Sequence, residues 1–271
     1  MSDLHIDINP WDWSLLEGLP SDVNTVVVAG DISNDVWETC HWLVELKRRF
    51  ENVLWVAGNH DFYNLGFHRT RLVQSREWAT KWPTPKTVPE MIEHYARWSQ
   101  ENGIVFLHRS CAVIDGVTFI GATGWHDYQA GHPLSTEAQI EAWYDRLNDT
   151  TIMWRDPHKI DHLAPIEAGM KDACYLETAA GELTGPAVVI THHIPHRSCL
   201  THRPHDIVWH SLHGSFANTL LERVRSDHIR YWVFGHTHSR SMRNVDGIEY
   251  VNNSKGYPGE CSRWEPIVLD I

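Results

Sequence analysis

The chain has 271 residues, 42% of them hydrophobic, and a formal net charge of -12 at pH 7. This length suffices for a substantial buried core, and the acidic balance disfavours binding to extended nucleic acid, which needs a basic surface. No apolar run approaches the roughly 18 residues of a membrane helix, and the first residues do not resemble a signal peptide. Five scattered cysteines indicate reduced thiols. We therefore expect a cytoplasmic protein with no membrane partner.

Short apolar runs rich in β-branched residues recur along the chain and end in polar or glycine-containing turns. Such runs predict strands, and those with few polar interruptions suit a sheet that is covered on both faces. Asp115 and Gly116 separate two of the runs and predict a hairpin turn. The predicted strands lie within residues 24–31, 52–61, 103–107, 117–125, 187–193, 231–238, 249–254 and 266–271.

Helical patterns lie between these strands. Residues 35–50 begin with Asp35 in the spacing of a capping box, and residues 136–147 begin with Thr136 in the same spacing. Residues 89–102 start at a proline and stop before a glycine, the usual asymmetry of helix ends. These patterns predict three helices.

Strands and helices alternate early in the chain, and the later part has more antiparallel character, which predicts an α/β fold. The sequence has no internal repeat and no low-complexity linker. We expect a single domain over residues 1–271, with residues 126–185 as a mostly helical insertion that shapes the pocket. The sequence leaves open whether the chain forms a homo-oligomer.

Residue types that bind metals follow four of the predicted strands. In open α/β sheets ligands bind outside the carboxyl ends of the strands, so these side chains should meet in one crevice. They are Asp31, then Asn59, His60 and Asp61, then His192 and His193, then His236 and His238. Asp3 and His5 are spaced so that an extended segment directs both to one side. Alone, that pair is also consistent with a solvated tail.

Taken together, these residues form five blocks that resemble the calcineurin-like metallophosphoesterases. The blocks are Asp3-Leu4-His5, Gly30-Asp31, Gly58-Asn59-His60-Asp61, Thr191-His192-His193 and Gly235-His236-Thr237-His238. All five stand in the family's order, which makes the match specific. The resemblance implies a four-layer α-β-β-α sandwich of two mixed sheets flanked by helices.

The resemblance also implies two divalent metal ions that share Asp31 as a ligand. The other implied ligands are Asp3, His5 and His238 for one ion and Asn59, His192 and His236 for the other. Carboxylate, amide oxygen and imidazole suit borderline divalent metals. Manganese is our first choice, and iron and zinc also fit.

The chemistry implied by the resemblance needs no serine or cysteine nucleophile. Two metals hold a hydroxide between them and stabilise the attacking and leaving oxygens of an in-line displacement at phosphorus. Asp31 takes part as the shared ligand. His60 looks like the family's catalytic histidine, which donates a hydrogen bond or proton to the departing oxygen. The alternative for His60 is a structural histidine behind the ligands.

Only one of His192 and His193 should reach a metal, because neighbours in a strand point to opposite faces. The family's position is the first, so His192 is the predicted ligand, and His193 either contacts the substrate or packs. The His-rich segment 192–213 is expected to line the pocket or an oligomer contact rather than to store metal. The predicted substrate contacts are His193, His196, His126, Tyr63 and Lys255.

Finer features resemble a bacterial branch of the family. They are the segments GATGWHDY (121–128) and NNSKGYPGE (252–260) and the pair Asn148-Asp149. Gly124 and His126 stand where that branch usually has Leu and Thr, so His126 is either a substrate contact or an ordinary histidine in a surface loop. Lys255 replaces the usual Arg, which keeps the charge but loses bidentate phosphate geometry.

The first block lies unusually close to the start of the sequence. The family usually has a buried strand of about five or six apolar residues before it, whereas only Met1 and Ser2 precede Asp3 here. The first core strand is therefore expected to be truncated. Either the reading frame starts upstream of Met1, or the sheet tolerates the shortened strand and holds Asp3 on a short arm.

The leading functional prediction is a dinuclear metal-dependent phosphoesterase that hydrolyses a small phosphate ester, with a phosphodiester preferred. Phosphomonoesterase and nucleotide pyrophosphatase activities use the same metal core and remain alternatives. A second class is a scaffold of this fold that has lost catalysis. Ligand loss would reveal it, and this chain keeps Asp31, Asn59, His60, His236 and His238.

Overall fold

The structure is a computed structural model that describes most of the chain. The described residues are 1–9, 18–20, 22–63, 85–130, 134–156, 159–200, 207–261 and 264–271. Nine strands and five longer helices are found within them. The strands are β1 (Thr25–Ala29), β2 (Asn52–Val56), β3 (Val105–Phe106), β4 (Ser110–Ile114), β5 (Val117–Gly121), β6 (Ala187–Ile190), β7 (Ile229–Phe234), β8 (Arg240–Val245) and β9 (Ile248–Asn253). The helices are α1 (Val36–Lys47), α2 (Val88–Glu101), α3 (Thr136–Arg146), α4 (Leu163–Gly181) and α5 (Ile207–Phe216).

The described strands form two sheets. The first has the order β1-β2-β3 and is parallel. The second has the order β4-β5-β6-β7-β9-β8, in which the four inner strands are parallel and the two edge strands pair antiparallel with their neighbours. The predicted hairpin joins β4 to β5, and Asp115 and Gly116 take positive φ angles of 51° and 81° there.

Helices cover the outer faces of both sheets. Trp42 of α1 and Tyr95 of α2 belong to one core cluster with Trp55 of β2. Leu176 of α4 belongs to a second cluster, with Val189 of β6. Apolar faces of helices and sheets are thus buried against each other, which is what stabilises a layered α/β fold.

A third cluster lies between the two sheets. Leu54 and Val56 of β2 pack there with Phe119 of β5 and Ile190 of β6. Strands that are buried on both faces explain why the sequence shows continuous apolar runs rather than alternation. Together the three clusters confirm the predicted α/β sandwich of two sheets flanked by helices.

The first residues of the chain form backbone hydrogen bonds with one strand of each sheet. The N–H group of Ala29 in β1 donates to the carbonyl oxygen of Met1, and the N–H group of Ser2 donates to the carbonyl oxygen of Asn253 in β9. Ser2 also forms a parallel bridge with Ser254. The short arm is therefore paired on both sides and is not a solvated tail.

Two local predictions are wrong. Residues 266–271 form no strand; they run as irregular chain, and the Asp270 carbonyl oxygen accepts a hydrogen bond from Tyr231. Helix α3 is capped by Ser135 rather than Thr136, because Ser135 has extended dihedral angles and its hydroxyl accepts from the N–H group of Ala138.

Residues 126–185 connect β5 to β6 and contain α3 and α4 in their described part. The division of the chain into one domain with this segment as an insertion stays a prediction. No helix in the described part of the chain is both long and apolar enough to cross a membrane.

Candidate metal centre

The carboxyl ends of the parallel strands bring the predicted ligands together. Nε2 of His192, just after β6, lies 3.3 Å from Oδ2 of Asp31, just after β1. The same nitrogen lies 2.9 Å from Oδ1 of Asn59, which follows β2. Nε2 of His5, from the N-terminal arm, lies 3.9 Å from Oδ2 of Asp31. The crevice that the sequence pattern predicts therefore forms around the carboxylate of Asp31.

Two groups of ligand-type side chains share Asp31. Within each group the candidate ligand atoms lie within 4.8 Å of one another. The first group is Asp3, His5, Asp31 and His238, and the second is Asp31, His192 and His236. Asn59 adjoins the second group through its contact with His192. All seven predicted ligands thus lie together, and their role as ligands stays a prediction.

The backbone is strained at many of these positions. Five of the seven residues have positive φ angles, between 43° and 73°, which non-glycine residues rarely adopt. They are Asp3, His5, Asp31, His236 and His238. Such conformations cost about 1–3 kcal/mol each and persist at functional sites where the surrounding structure enforces them.

Asp61 holds the ends of β1 and β2 in place. Its Oδ2 accepts hydrogen bonds from the backbone N–H groups of Asp31 and Gly58, both at 2.9 Å. Its Oδ1 accepts from the N–H group of Ile32 and from the hydroxyl of Thr39, both at 3.2 Å. Burial, and then the nearby charge of Asp31, raise the pKa of Asp61 to about 7. Asp61 therefore lies behind the ligands and fixes the two loops that carry them.

Hydrogen bonds orient two of the histidines. Nδ1 of His192 donates to the carbonyl oxygen of Ala29 at 2.9 Å, and Nδ1 of His238 donates to Oε2 of Glu260 at 2.7 Å. In both rings Nε2 is then directed toward the other ligand-type atoms. A metal-binding histidine usually has its second nitrogen fixed in this way. Glu260 was not among the residues predicted from the sequence.

The chemistry of this set fits divalent cations. Nε2 of His5 and Nε2 of His238 face each other at 3.0 Å, and Nδ1 of His236 lies 3.1 Å from Nε2 of His192. Burial, and then neighbouring histidines, hold the pKa of His5 and of His236 well below the usual value of 6.5. Neutral imidazoles whose nitrogens converge are suited to bind a metal ion.

The charge of Asp31 is stabilised by its neighbours. Burial alone would raise the pKa of Asp31, but His192 and then His60 hold it well below its usual range. Burial alone would lower the pKa of His192, but the carboxylate of Asp31 raises it to about 9. Without a bound cation, His192 thus supplies the positive charge that Asp31 requires. A metal ion would take over this role and release the proton.

His60 lies at the edge of the two groups. Its backbone N–H donates to Oδ1 of Asp31 at 2.9 Å, and its Nδ1 donates to Oδ1 of Asn34 at 2.7 Å. Its Nε2 lies 4.0 Å from Oδ2 of Asp31 and 3.3 Å from the hydroxyl of Tyr257. The ring of Tyr257 also lies 4.7 Å from that of His5, between ring centroids. Tyr257 lies in the segment 252–260 that resembles the bacterial branch, but it was not among the site residues predicted from the sequence.

The predicted substrate contacts occupy different places. His193 is fully buried, with its ring 4.5 Å from that of His236. His126 is fully buried 5.5 Å from the ring of His193, so the surface-loop alternative for it is wrong. The hydroxyl of Tyr63 accepts a hydrogen bond from Nδ2 of Asn59 at 2.8 Å.

The last two predicted contacts are held by other parts of the fold. Nδ1 of the half-buried His196 accepts from the N–H group of Ser198 at 3.1 Å, and its ring lies 5.7 Å from that of Tyr250. The N–H group of Lys255 donates to the carbonyl oxygen of Ser2 at 3.0 Å. Residues 201–206 of the His-rich segment lie outside the described residues. Substrate contact stays a prediction for all five residues.

An α/β sandwich that gathers carboxylate, amide and imidazole groups at the carboxyl ends of its strands is typical of metal-dependent hydrolases. A family model described as calcineurin-like phosphoesterase matches residues 1–240. The chain belongs to this family, and it is a metal-dependent phosphoric ester hydrolase.

Two curated proteins resemble the whole chain at low identity. The uncharacterized protein L509 of Acanthamoeba polyphaga mimivirus is 21% identical over 292 residues, covering 100% of this chain and 95% of that protein. The [acyl-carrier-protein] phosphodiesterase PptH of Mycobacterium tuberculosis is 23% identical over 280 residues, covering 98% of this chain and 79% of that protein. The bacterial branch assigned from the sequence stays a prediction.

A solved structure shares the fold. The phosphopantetheinyl hydrolase PptH from Mycobacterium tuberculosis aligns with a TM-score of 0.74 and 20% sequence identity, covering 98% of this chain and 91% of that chain. At this identity the likeness concerns the fold.

Proposed function

We propose that this protein is a dinuclear metal-dependent phosphoesterase that hydrolyses a small phosphate ester, preferably a phosphodiester. The observation that carries the proposal is the position of Asp31, which belongs to both groups of ligand-type side chains. A shared carboxylate suits two neighbouring cations, the arrangement used for in-line displacement at phosphorus. Besides Asp31, the residues that would hold the cations are Asp3, His5 and His238 for one and Asn59, His192 and His236 for the other.

The metal ions supply, when bound, the positive charge that activates water and polarises the phosphate. The chain supplies the proton for the leaving group. Because Nδ1 of His60 is occupied by Asn34, Nε2 is the nitrogen that faces the site. In its charged form His60 donates the Nε2 proton to the ester oxygen as the bond from phosphorus to that oxygen breaks.

The choice of a diester is supported by the names of the relatives. The Mycobacterium tuberculosis relative is called an acyl-carrier-protein phosphodiesterase and its structure a phosphopantetheinyl hydrolase. We propose a phosphopantetheinyl diester as the first natural substrate to test, with cyclic nucleotides as the second. Manganese as the metal, a cytoplasmic location and a homo-oligomer belong to the same proposal.

The test is hydrolysis of a chromogenic diester and its matched monoester by protein that is stripped of metal and reloaded with manganese. A phosphopantetheinylated carrier protein is assayed in parallel. The control is His60→Ala, which should retain its metal. We expect turnover of a diester that falls by about 10²–10⁴-fold in the control.

Each alternative activity has its own outcome. Turnover of the monoester alone would replace the diester with a phosphomonoester as substrate. Turnover of a nucleotide pyrophosphate alone would assign the pyrophosphatase alternative. A reloaded protein that holds two manganese ions and hydrolyses none of these substrates would contradict the proposal.

A further inference from the structure

The amide group of Asn59 is held from two sides. Its Oδ1 lies 2.9 Å from Nε2 of His192, in the second group of ligand-type atoms. Its Nδ2 donates to Oδ1 of Asp149 at 2.9 Å and to the hydroxyl of Tyr63 at 2.8 Å. The two ends of an amide have almost the same shape, so its partners decide which end faces the metal site.

Asp149 is an unusual partner for this amide. It lies in a short 3₁₀ helix, Asn148–Thr151, that directly follows α3 in the segment 126–185. The hydroxyl of Tyr63 donates to its Oδ1, and Nε1 of Trp143 donates to its Oδ2 at 3.4 Å. These donors and Asn59 are all neutral, and only 2% of Asp149 is exposed. The hydrogen-bond partners of Asp149 among the described residues include no cation, and a buried carboxylate in such a setting costs several kcal/mol, which points to a function beyond packing.

The carboxylate of Asp149 determines which end of the Asn59 amide it contacts. An ionised carboxylate only accepts hydrogen bonds, so it binds the NH₂ end of an amide and repels the oxygen end. With Nδ2 held by Asp149, Oδ1 of Asn59 must face His192 and the neighbouring ligand-type atoms. An amide oxygen can bind a divalent cation, whereas an amide NH₂ group cannot.

We infer that Asp149 is a positioning residue of the metal centre, which fixes the side-chain amide of Asn59 with its oxygen toward the second cation. The segment 126–185 is then part of the metal site as well as part of the pocket wall. The inference rests on the ligand role of Asn59 in the proposed function. It does not require that the bound metals hydrolyse any particular ester.

The test compares Asp149→Asn with Asp172→Asn. Asp172 is a buried carboxylate of α4 in the same segment, and its Oδ2 accepts from the N–H groups of Gly124 and Trp125 at 2.9 and 3.4 Å. Both substitutions remove one buried negative charge. Only Asp149→Asn replaces the acceptor-only partner of the Asn59 amide with a group that can also donate, so only this variant permits the reversed amide.

The first readout is manganese binding to metal-free protein, measured by calorimetry as two affinities per chain. In Asp149→Asn we expect one of the two affinities, that of the site which includes Asn59, to fall by about 10- to 100-fold, with the other unchanged. In Asp172→Asn we expect both affinities to match the wild type. Wild-type affinities in Asp149→Asn, or an equal loss in Asp172→Asn, would overturn the inference.

The second readout needs no variant at Asp149, so it remains decisive if that variant fails to fold. The side-chain NH₂ signals of Asn59 are measured by ¹⁵N NMR in metal-free wild-type protein and assigned by their loss in Asn59→Asp. We expect both protons to exchange slowly with solvent, because Asp149 and Tyr63 accept them. Fast exchange would overturn the inference. Correct metal binding with no hydrolysis would count against the proposed function alone.

Discussion

Gly58 lies so close to Asp31 that a Cβ atom on residue 58 would come within 2.1 Å of Oδ1 of Asp31. The same atom would lie 2.7 Å from Cε1 of His192. Real Cβ atoms do not approach other atoms so closely, and neither neighbour can move without leaving the metal site. The glycine between β2 and Asn59 therefore makes room for the shared carboxylate.

Gly58→Ala should therefore remove metal binding before it removes the fold. We expect the variant to lose most of its manganese and to lose about 1–3 kcal/mol of unfolding free energy through overpacking. Metal content and urea unfolding measure the two effects. Gly185→Ala is the matched control, since its added Cβ would meet no atom of the described part of the chain within 4 Å. Full metal content in Gly58→Ala would contradict the predicted role of Asp31.

Substitutions at Asp31 and at His60 should distinguish the effects of metal binding from those of proton transfer. Asp31→Asn removes the charge that both groups share and should abolish both metal binding and hydrolysis. His60→Ala removes a ring that belongs to neither group. It should keep its metal and slow turnover by about 10²–10⁴-fold, most strongly for esters with poor leaving groups. Metal analysis and kinetics on a series of esters test this division, and equal loss of metal in both variants would refute it.

The sequence predicted the parts of the site that depend on local pattern. Asp31, Asn59 and His192 follow apolar runs directly, and parallel strands place their carboxyl ends at one edge, so their convergence could be argued without coordinates. The family resemblance then divided the ligands into two groups. The histidines and aspartates among them lie in two clusters of the same composition, and their role as ligands stays a prediction.

The parts that escaped prediction depend on contacts between distant parts of the chain. Asp149 is 90 positions from Asn59, and Tyr257 is 197 positions from His60. Neither residue follows an apolar run that would mark it as a ligand. The run 266–271 has the composition of a strand, yet it pairs with no described strand, because composition does not determine whether a sheet edge is free.

Tyr257 should affect turnover through His60 and metal binding through its ring. Its hydroxyl lies 3.3 Å from Nε2 of His60, and its ring packs against the rings of His5 and His238 at 4.7 and 4.5 Å. Tyr257→Phe keeps the ring and removes one hydrogen bond, so kcat should fall by about 10-fold with metal content unchanged. Tyr257→Ala should also weaken binding of the first metal. Wild-type kcat in Tyr257→Phe on an ester with a poor leaving group would contradict the contact.

His126 should make the stability of the metal-free protein depend on pH. It is fully buried, neither ring nitrogen has a hydrogen-bond partner among the described residues, and burial lowers its pKa from 6.5 to about 3. As the pH falls below 6.5, His126 becomes protonated in the unfolded chain. In the folded chain it stays neutral until about pH 3. The free energy of unfolding therefore falls with pH in this window, by up to about 1.4 kcal/mol per pH unit for this one group.

His126→Leu removes the group that takes up this proton. The free energy of unfolding of the variant should therefore fall less between pH 8 and pH 5 than that of the wild type. Urea unfolding of metal-free protein at both values measures the difference. Asp172→Asn provides a control of opposite sign. Burial raises the pKa of Asp172 to about 6, so the folded chain keeps a proton that the unfolded chain has released between about pH 4 and 6. Asp172→Asn should therefore steepen the loss of stability toward acid pH. For His126→Leu, an unchanged dependence of the unfolding free energy on pH would show that His126 is charged in the folded protein.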